Sequence, residues 1–202
     1  MKKFKILISL VLIFTMLSGC SVLNKKEEDK TPTLKLTFPI IEYGLSVKSN
    51  TDFEAVSDKG NWDLQITNGD IYFSVMAYKT IDLAEDQTPN DVYTIQNKQL
   101  FENRENVQTV IATKNVSHQG RNITHTRYSA ESDVGKNYYD SFLVTFDGNP
   151  DVFAWILATG VPSTMDEYKA TIEEMVLSIS SGSELIEPEA SSTAIGGIFG
   201  IK

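Results

Sequence analysis

The stretch Asn137-Tyr-Tyr-Asp-Ser-Phe-Leu-Val-Thr-Phe146, followed by Asp147-Gly148-Asn149-Pro150 and then Val152-Phe-Ala-Trp-Ile-Leu-Ala-Thr159, decides the fold. Two runs rich in β-branched and aromatic residues flank a four-residue cluster of turn formers, which is the pattern of adjacent antiparallel strands. Upstream, Val107 to Val116 and Asn122 to Ser129 read the same way, so the second half of the chain is expected to form an antiparallel meander. Adjacent aromatics such as Tyr138-Tyr139 must point to opposite faces of a sheet. Tyr72, Phe73, Tyr78, Tyr128, Phe142, Phe146, Phe153 and Trp155 crowd the same strands, so both faces need cover if they are to be packing residues.

Towards the N-terminus, shorter β runs appear. Leu34-Lys-Leu36-Thr-Phe38 alternates with period two, and Leu45 to Ser49 and Phe53 to Val56 are short extended segments. Trp62 to Thr67 leads through Asn68-Gly69-Asp70 into Ile71 to Tyr78, and Asn-Gly between two such runs is a strong hairpin signal. Two helices interrupt the strands. Thr88-Pro89 offers an N-cap with proline at the first helical position, and Val92, Ile95 and Leu100 supply an apolar stripe to about Asn103. The second helix reads from Thr164-Met-Asp-Glu167 as a capping box, with Tyr168, Ile172, Met175, Val176 and Ile179 as the face turned to a sheet. The expected fold is therefore α+β.

This order of elements resembles the fold shared by photosystem PsbP proteins, a Ran-binding nuclear-transport factor family and a group of bacterial lipoproteins. The resemblance runs from about Leu36 to Ser180 and rests on Gly44-Leu45-Ser46-Val47, the Thr88-Pro89 helix start, Ser141-Phe142-Leu143-Val144 and the helix after Tyr168. It implies an α/β/α sandwich, in which helices cover a central antiparallel sheet, and a binding or assembly role without catalysis. It transfers no functional residue, and a fold alone does not establish an activity.

The N-terminal region carries a second resemblance. Lys2, Lys3 and Lys5 precede the apolar run Ile6 to Leu17, and Leu17-Ser18-Gly19-Cys20 resembles the lipobox of bacterial lipoproteins. That implies a signal peptide over residues 1–19, cleavage before Cys20, and a thioether-linked diacylglycerol bearing palmitate-type acyl chains on the single cysteine of the chain. Two acyl chains hold a protein on a bilayer where one binds only marginally, at about 0.8 kcal/mol per buried methylene. An uncleaved spanning helix is the competing reading, and Ser18, Gly19 and Ser21 shorten its apolar stretch below the ~20 residues required. Residues 20–33 then read as the lipidated cysteine and a polar stalk, reaching roughly 40 Å at about 3.3 Å per residue. A globular domain is expected over 34–180 and a flexible tail over 181–202. The expected location is the cell membrane, lipid-anchored on its extracytoplasmic face.

Charge narrows the partners. Removal of residues 1–19 takes away three lysines and no acid, so 18 basic residues become 15 against 27 acidic ones, and the net charge moves from −9 to −12. Nucleic acid is disfavoured, because its binding rests on Lys and Arg at phosphates. Docking along anionic headgroups would likewise need a basic face. With no cysteine beyond Cys20, the domain must hold together by its core alone, which about 150 residues can do.

Chemistry-bearing patterns are sparse. His118 and His125 flank Gln119-Gly120 and could join Glu131 only as an incomplete metal set, below the three or four protein ligands of zinc sites. Glu102, Glu105, Asp82, Glu85 and Asp86 lie in polar stretches and read as solvated. There is no Gly-x-Ser-x-Gly elbow, and Asp133-Val-Gly135-Lys136 lacks the glycine spacing of a phosphate loop. Asp147-Gly148-Asn149-Pro150-Asp151 lacks the twelve-residue calcium pattern. No catalytic residue, metal or cofactor is therefore assigned. In Ile195-Gly-Gly-Ile198-Phe199-Gly-Ile201, the apolar residues Ile198, Phe199 and Ile201 are candidates for contact with an envelope protein partner, or for folding back on the domain. The reading is a non-catalytic envelope lipoprotein. An envelope hydrolase with an unrecognised site, marked by a carboxylate pair or a His–carboxylate pair in a cleft, and a small-ligand carrier, marked by a closed apolar pocket, are its rivals.

Overall fold

The computed structural model describes residues 32–132 and 135–182. The lipobox residues Leu17, Ser18, Gly19 and Cys20, the tip Asp133-Val134, and Ile198, Phe199 and Ile201 lie outside the described residues. Strands β1 (Leu36–Ile40) and β2 (Leu45–Ser49) form an antiparallel pair around a 3-10 turn at Ile41–Tyr43. Gly44 closes that turn in the left-handed region at φ +61°, where a side chain would be strained. Strands β3 (Glu54–Ala55), β4 (Leu64–Thr67) and β5 (Ile71–Lys79) follow.

Helix α1 (Pro89–Phe101) leads to four strands: β6 (Glu105–His118), β7 (Arg121–Ser132), β8 (Gly135–Phe146) and β9 (Val152–Gly160). Helices α2 (Pro162–Glu167) and α3 (Lys169–Ser178) and the short strand β10 (Ser180–Ser181) complete the described chain. Seven strands form one sheet in the order β3-β4-β5-β9-β8-β7-β6, and β1-β2-β10 form a second, all pairs being antiparallel.

The hairpin expected at Asn68-Gly69 is present, and a second two-residue hairpin turn lies at Gln119-Gly120. Asn68 Oδ1 accepts the amides of Asp70 and Ile71, turning the chain from β4 into β5. Gln119 and Gly120 both take positive φ, +48° and +74°, which is the twist-matched two-residue turn between β6 and β7.

The large sheet is buried on both sides at its centre. Tyr139 to Val144 of β8 and Val152 to Ala158 of β9 are all buried. On one face Leu143, Phe153, Trp155 and Leu157 pack under Val92 and Tyr93 of α1. On the other, Phe142, Val144, Ile156 and Phe73 pack against β2 and against Met165, Ile172, Met175, Val176 and Ile179 from the α2–α3 region. The molecule is α+β, with a central antiparallel sheet covered by helices on either side.

Two helix details differ from expectation. Thr88 does cap α1, and its exchange of hydrogen bonds with Asp91 makes a full capping box. The buried residues are Val92, Tyr93 and Asn97, however, and Ile95 faces outward, because α1 rests Tyr93 and Asn97 on polar partners in the sheet. The last helix begins at Pro162 rather than at a Thr164 cap, and the chain bends at Tyr168, which separates α2 from α3. Proline at the first helical position suits the start, since its missing N–H has no intrahelical role there. Ile172, Met175, Val176 and Ile179 are buried as the stripe requires, while Tyr168 packs edge-on to Phe53.

Candidate functional site: a charged network beside an open cleft

Strands β7 and β8 pair in a register that puts Arg127 opposite Asp140 and His125 opposite Phe142. Alternation then turns Arg127, Asp140, His125, Ile123 and Phe142 to the face covered by α3, and Thr126, Ser141, Tyr128 and Tyr139 to the face covered by α1.

On the α3 side, Asp140 is 2% exposed and sits at the centre of a charged network. Arg127 Nε donates to Asp140 Oδ1 at 2.8 Å and Arg127 Nη2 to Oδ2 at 2.6 Å, a two-pronged pairing. His125 Nε2 donates to Oδ1 at 2.8 Å, and Arg127 Nη1 reaches Asp166 of α2 at 2.6 Å. Burial acts to raise the Asp140 carboxyl, but hydrogen bonds and charge from His125 and Arg127 outweigh it and hold the carboxyl below its ordinary value. The hydrogen bonds and negative charge of Asp140, and after it Asp166, push the Arg127 guanidinium up against the opposing effect of burial. Arg127 also lies over the Tyr138 ring, 5.2 Å from its centroid.

His125 forms one wall of a cleft. Its ring stacks on Phe142 with centroids 4.3 Å apart. Val116 of β6, Ile123, Phe142, and Glu173, Val176 and Leu177 of α3 complete a hollow of about 280 Å³ with a mainly apolar lining. Among the described residues no hydroxyl or thiol is hydrogen-bonded to His125, and the carboxylate beside it is already paired to Arg127.

On the α1 side the network is neutral. Trp155 Nε1 donates to Ser141 Oγ at 2.9 Å, Ser141 Oγ donates to Asn97 Oδ1 at 2.6 Å, and Tyr93 Oη donates to Thr126 Oγ1 at 3.0 Å. Burial raises the Tyr93 phenol, against the hydrogen bonds from Thr126 and Ser141, so it stays protonated at neutral pH. Between α1 and the edge strand β6 two open hollows follow one another. One of about 610 Å³ is lined by Tyr93, Asn97, Lys98, Phe101, Thr113 and Tyr128. The other, of about 360 Å³, is lined by residues including Asn90, Asn115, Asn122 and Thr145.

The residues singled out from sequence are dispersed. His118 pairs with Arg121 and His125 with Lys114, so the two histidines stand four positions apart along the strand pair, and Glu131 lies at the far end of β7 opposite Glu105. Among the described residues no three His, Cys, Asp or Glu side chains are placed to share a metal ion. Asp82, Glu85, Asp86, Glu102 and Glu105 are exposed. The Arg127–Asp140 pair went unread, although a signal was present: Asp140 is the lone acid within Tyr138-Tyr-Asp-Ser-Phe-Leu-Val144, and an acid inside an apolar strand needs a cation.

Neither a family model nor a curated protein sequence matches the chain. Among solved structures, cyanobacterial PsbP (CyanoP) from Synechocystis sp. PCC 6803 is similar at TM-score 0.54 and 12% identity, over 73% of this chain and 92% of that one. The fold is PsbP-like. Also similar are LpqN, described as involved in cell envelope biogenesis of Mycobacterium tuberculosis, at TM-score 0.49 and 15% identity over 64% of this chain and 80% of its own. The Saccharomyces cerevisiae Ran-binding protein Mog1p reaches TM-score 0.48 and 10% identity over 73% and 96%.

Proposed function

We propose that this PsbP-like chain is a lipoprotein, held through Cys20 in the cell membrane on its extracytoplasmic face, whose domain binds or assembles another envelope protein and performs no chemistry. The anchor rests on Leu17-Ser18-Gly19-Cys20 after an apolar run. The binding role rests on how the buried ionisable groups are used. Asp140 is saturated by Arg127 and His125, so the network ties β7, β8 and α2 together and Asp140 is not free to act as a base. Open, largely neutral hollows along α1 and β6 supply contact area instead.

The deciding experiment labels growing cells with an alkyne fatty acid and captures partners from their membranes with the intact chain, a Cys20→Ala form and a form ending at Gly182. The cut falls there because Ser181 pairs with Leu45 and the Gly182 amide donates to Gly44. Label on the intact chain but not on Cys20→Ala, with one envelope protein captured by the intact chain, is the expected result, and loss of that capture on tail removal would assign it to the segment after Gly182. Absence of label, or absence of a captured protein, refutes the corresponding half.

One observation favours a second reading, an envelope hydrolase: a His–carboxylate pair stands at an apolar cleft. Turnover of an envelope ester or amide by the purified chain, abolished by His125→Gln, would establish it.

A further inference from the structure

The geometry points to the cleft between α3 and strands β6 to β8 as the seat of this chain's own segment Ile195 to Ile201, with Phe199 or Ile198 entering between Val116, Phe142 and Leu177. Its size is the first argument. At about 280 Å³ it falls below the range of roughly 300–1,000 Å³ typical of small-molecule sites, and suits one or two side chains. Its chemistry is the second. Val116 is 53% exposed on one lip, Leu177 is half-buried on the other, and a stacked His125–Phe142 pair lies between them. Apart from His125, Glu173 is the only titratable lining residue. The segment Ile195-Gly-Gly-Ile-Phe-Gly-Ile201 carries no charge, and Lys202 follows it with the sign that complements Glu173, which already has Lys169 at 3.9 Å on its own helix.

Chain length is the third argument. Gly182 is five residues from Leu177, so the exit point lies within about 17 Å of the cleft. Arg121 Nε donates to the Ile179 carbonyl, which ties the exit to β7 two residues before Ile123 in the cleft wall. Twelve residues separate Gly182 from Ile195, and a coil of that length has a root-mean-square span of about 20 Å. Tether and span match, the condition under which effective concentration reaches the millimolar range. Glycines at 196, 197 and 200 let the segment follow a curved wall without steric cost. The contact requires no envelope partner and does not rest on the binding reading above.

The test uses the full chain with Cys20→Ser, which removes its only native thiol. Phe199→Cys is combined with Leu177→Cys, with the exposed Glu173→Cys as a second reporter should the first fail to fold. Ile81→Cys, 88% exposed and outside the cleft, is the control partner. Under mild oxidation at sub-micromolar protein, intramolecular disulfide should form at the cleft at least tenfold faster than at Ile81→Cys. Adding Ile198→Asp should remove that excess. Equal rates at cleft and control, or a rate indifferent to Ile198→Asp, would overturn the assignment. So would disulfides that join two chains and slow on dilution, which would place the segment in a second copy's cleft, as would a cleft that takes up only free apolar compounds.

Discussion

The two faces of the β7–β8 pair solve the same problem in different ways. On the α1 face, Thr126 and Ser141 stand opposite each other and are satisfied by neutral donors from Tyr93, Asn97 and Trp155. One residue further along, on the α3 face, Arg127 stands opposite Asp140 and the contact is ionic. Among the described residues no buried side-chain nitrogen or oxygen lacks a partner, so both networks are complete. Completeness hides how differently they fail. A neutral group left alone loses about 1–3 kcal/mol. A buried charge left alone costs about 3–5 kcal/mol, because its mate no longer offsets desolvation.

The sharpest way to break the comparison is Arg127→Met. It leaves the Asp140 carboxylate buried with only His125 and should lower stability by about 3–5 kcal/mol in urea unfolding. Arg127→Met with Asp140→Leu should recover most of that loss, since replacing a whole buried pair by apolar residues is often near neutral. Recovery would show that the pair adds specificity more than net stability. No recovery would show that the bond to Asp166 or the seat of His125 carries energy of its own.

Acid probes the same network without mutation. Asp140 is held below its ordinary value, so its contribution is fully present above the unfolded carboxylate pKa of about 3.9 and is lost as pH falls through the folded value. Stability from pH 7 down to pH 2 should therefore fall more steeply for the native chain than for the Arg127→Met, Asp140→Leu form. Parallel curves would assign acid sensitivity to other carboxylates.

On the neutral face, Ser141→Ala strands Trp155 Nε1 and Asn97 Oδ1, and should cost about 1–3 kcal/mol. Tyr93→Phe removes a single hydroxyl whose partner Thr126 keeps a contact with Thr113 at 2.9 Å, so about 1 kcal/mol or less is expected. If Tyr93→Phe proved as damaging as Arg127→Met, the contrast between the two faces would fail.

Edge strand β6 shows a further contrast, with the buried strands beside it. It runs for 14 residues, is last in its sheet among the described residues, and includes Val107-Gln-Thr-Val-Ile-Ala-Thr113, seven uncharged residues of high β-propensity. Three register shifts against β7 and the charges of Glu105 and Lys114 interrupt it, devices that keep an open edge from pairing with another chain.

Much of this was readable along the chain. Runs of β-branched and aromatic residues located most of the strands, Asn68-Gly69 and Asp147 to Pro150 marked two of their turns, and Thr88-Pro89 marked the start of α1, because each signal depends only on neighbours in sequence. The outward position of Ile95 was not readable. An apolar stripe says which residues could be buried, while the polar seat for Tyr93 and Asn97 exists only once β7 and β8 are paired beneath the helix. Strand β10 was hidden for the same reason: two serines become a strand only because β2 offers Leu45 and Ser46 as partners.

From its amino acids alone, this chain shows its leader-like N-terminus, its acidic balance, its single cysteine and its α+β class, all properties of composition and local period. Only tertiary structure decided that Arg127 would meet Asp140, that His125 would cap their network beside an open cleft, and that His118 would stand apart. Those contacts join residues 13 or more positions apart or depend on strand register, and a shift of register by one residue would turn each of these side chains to the other face.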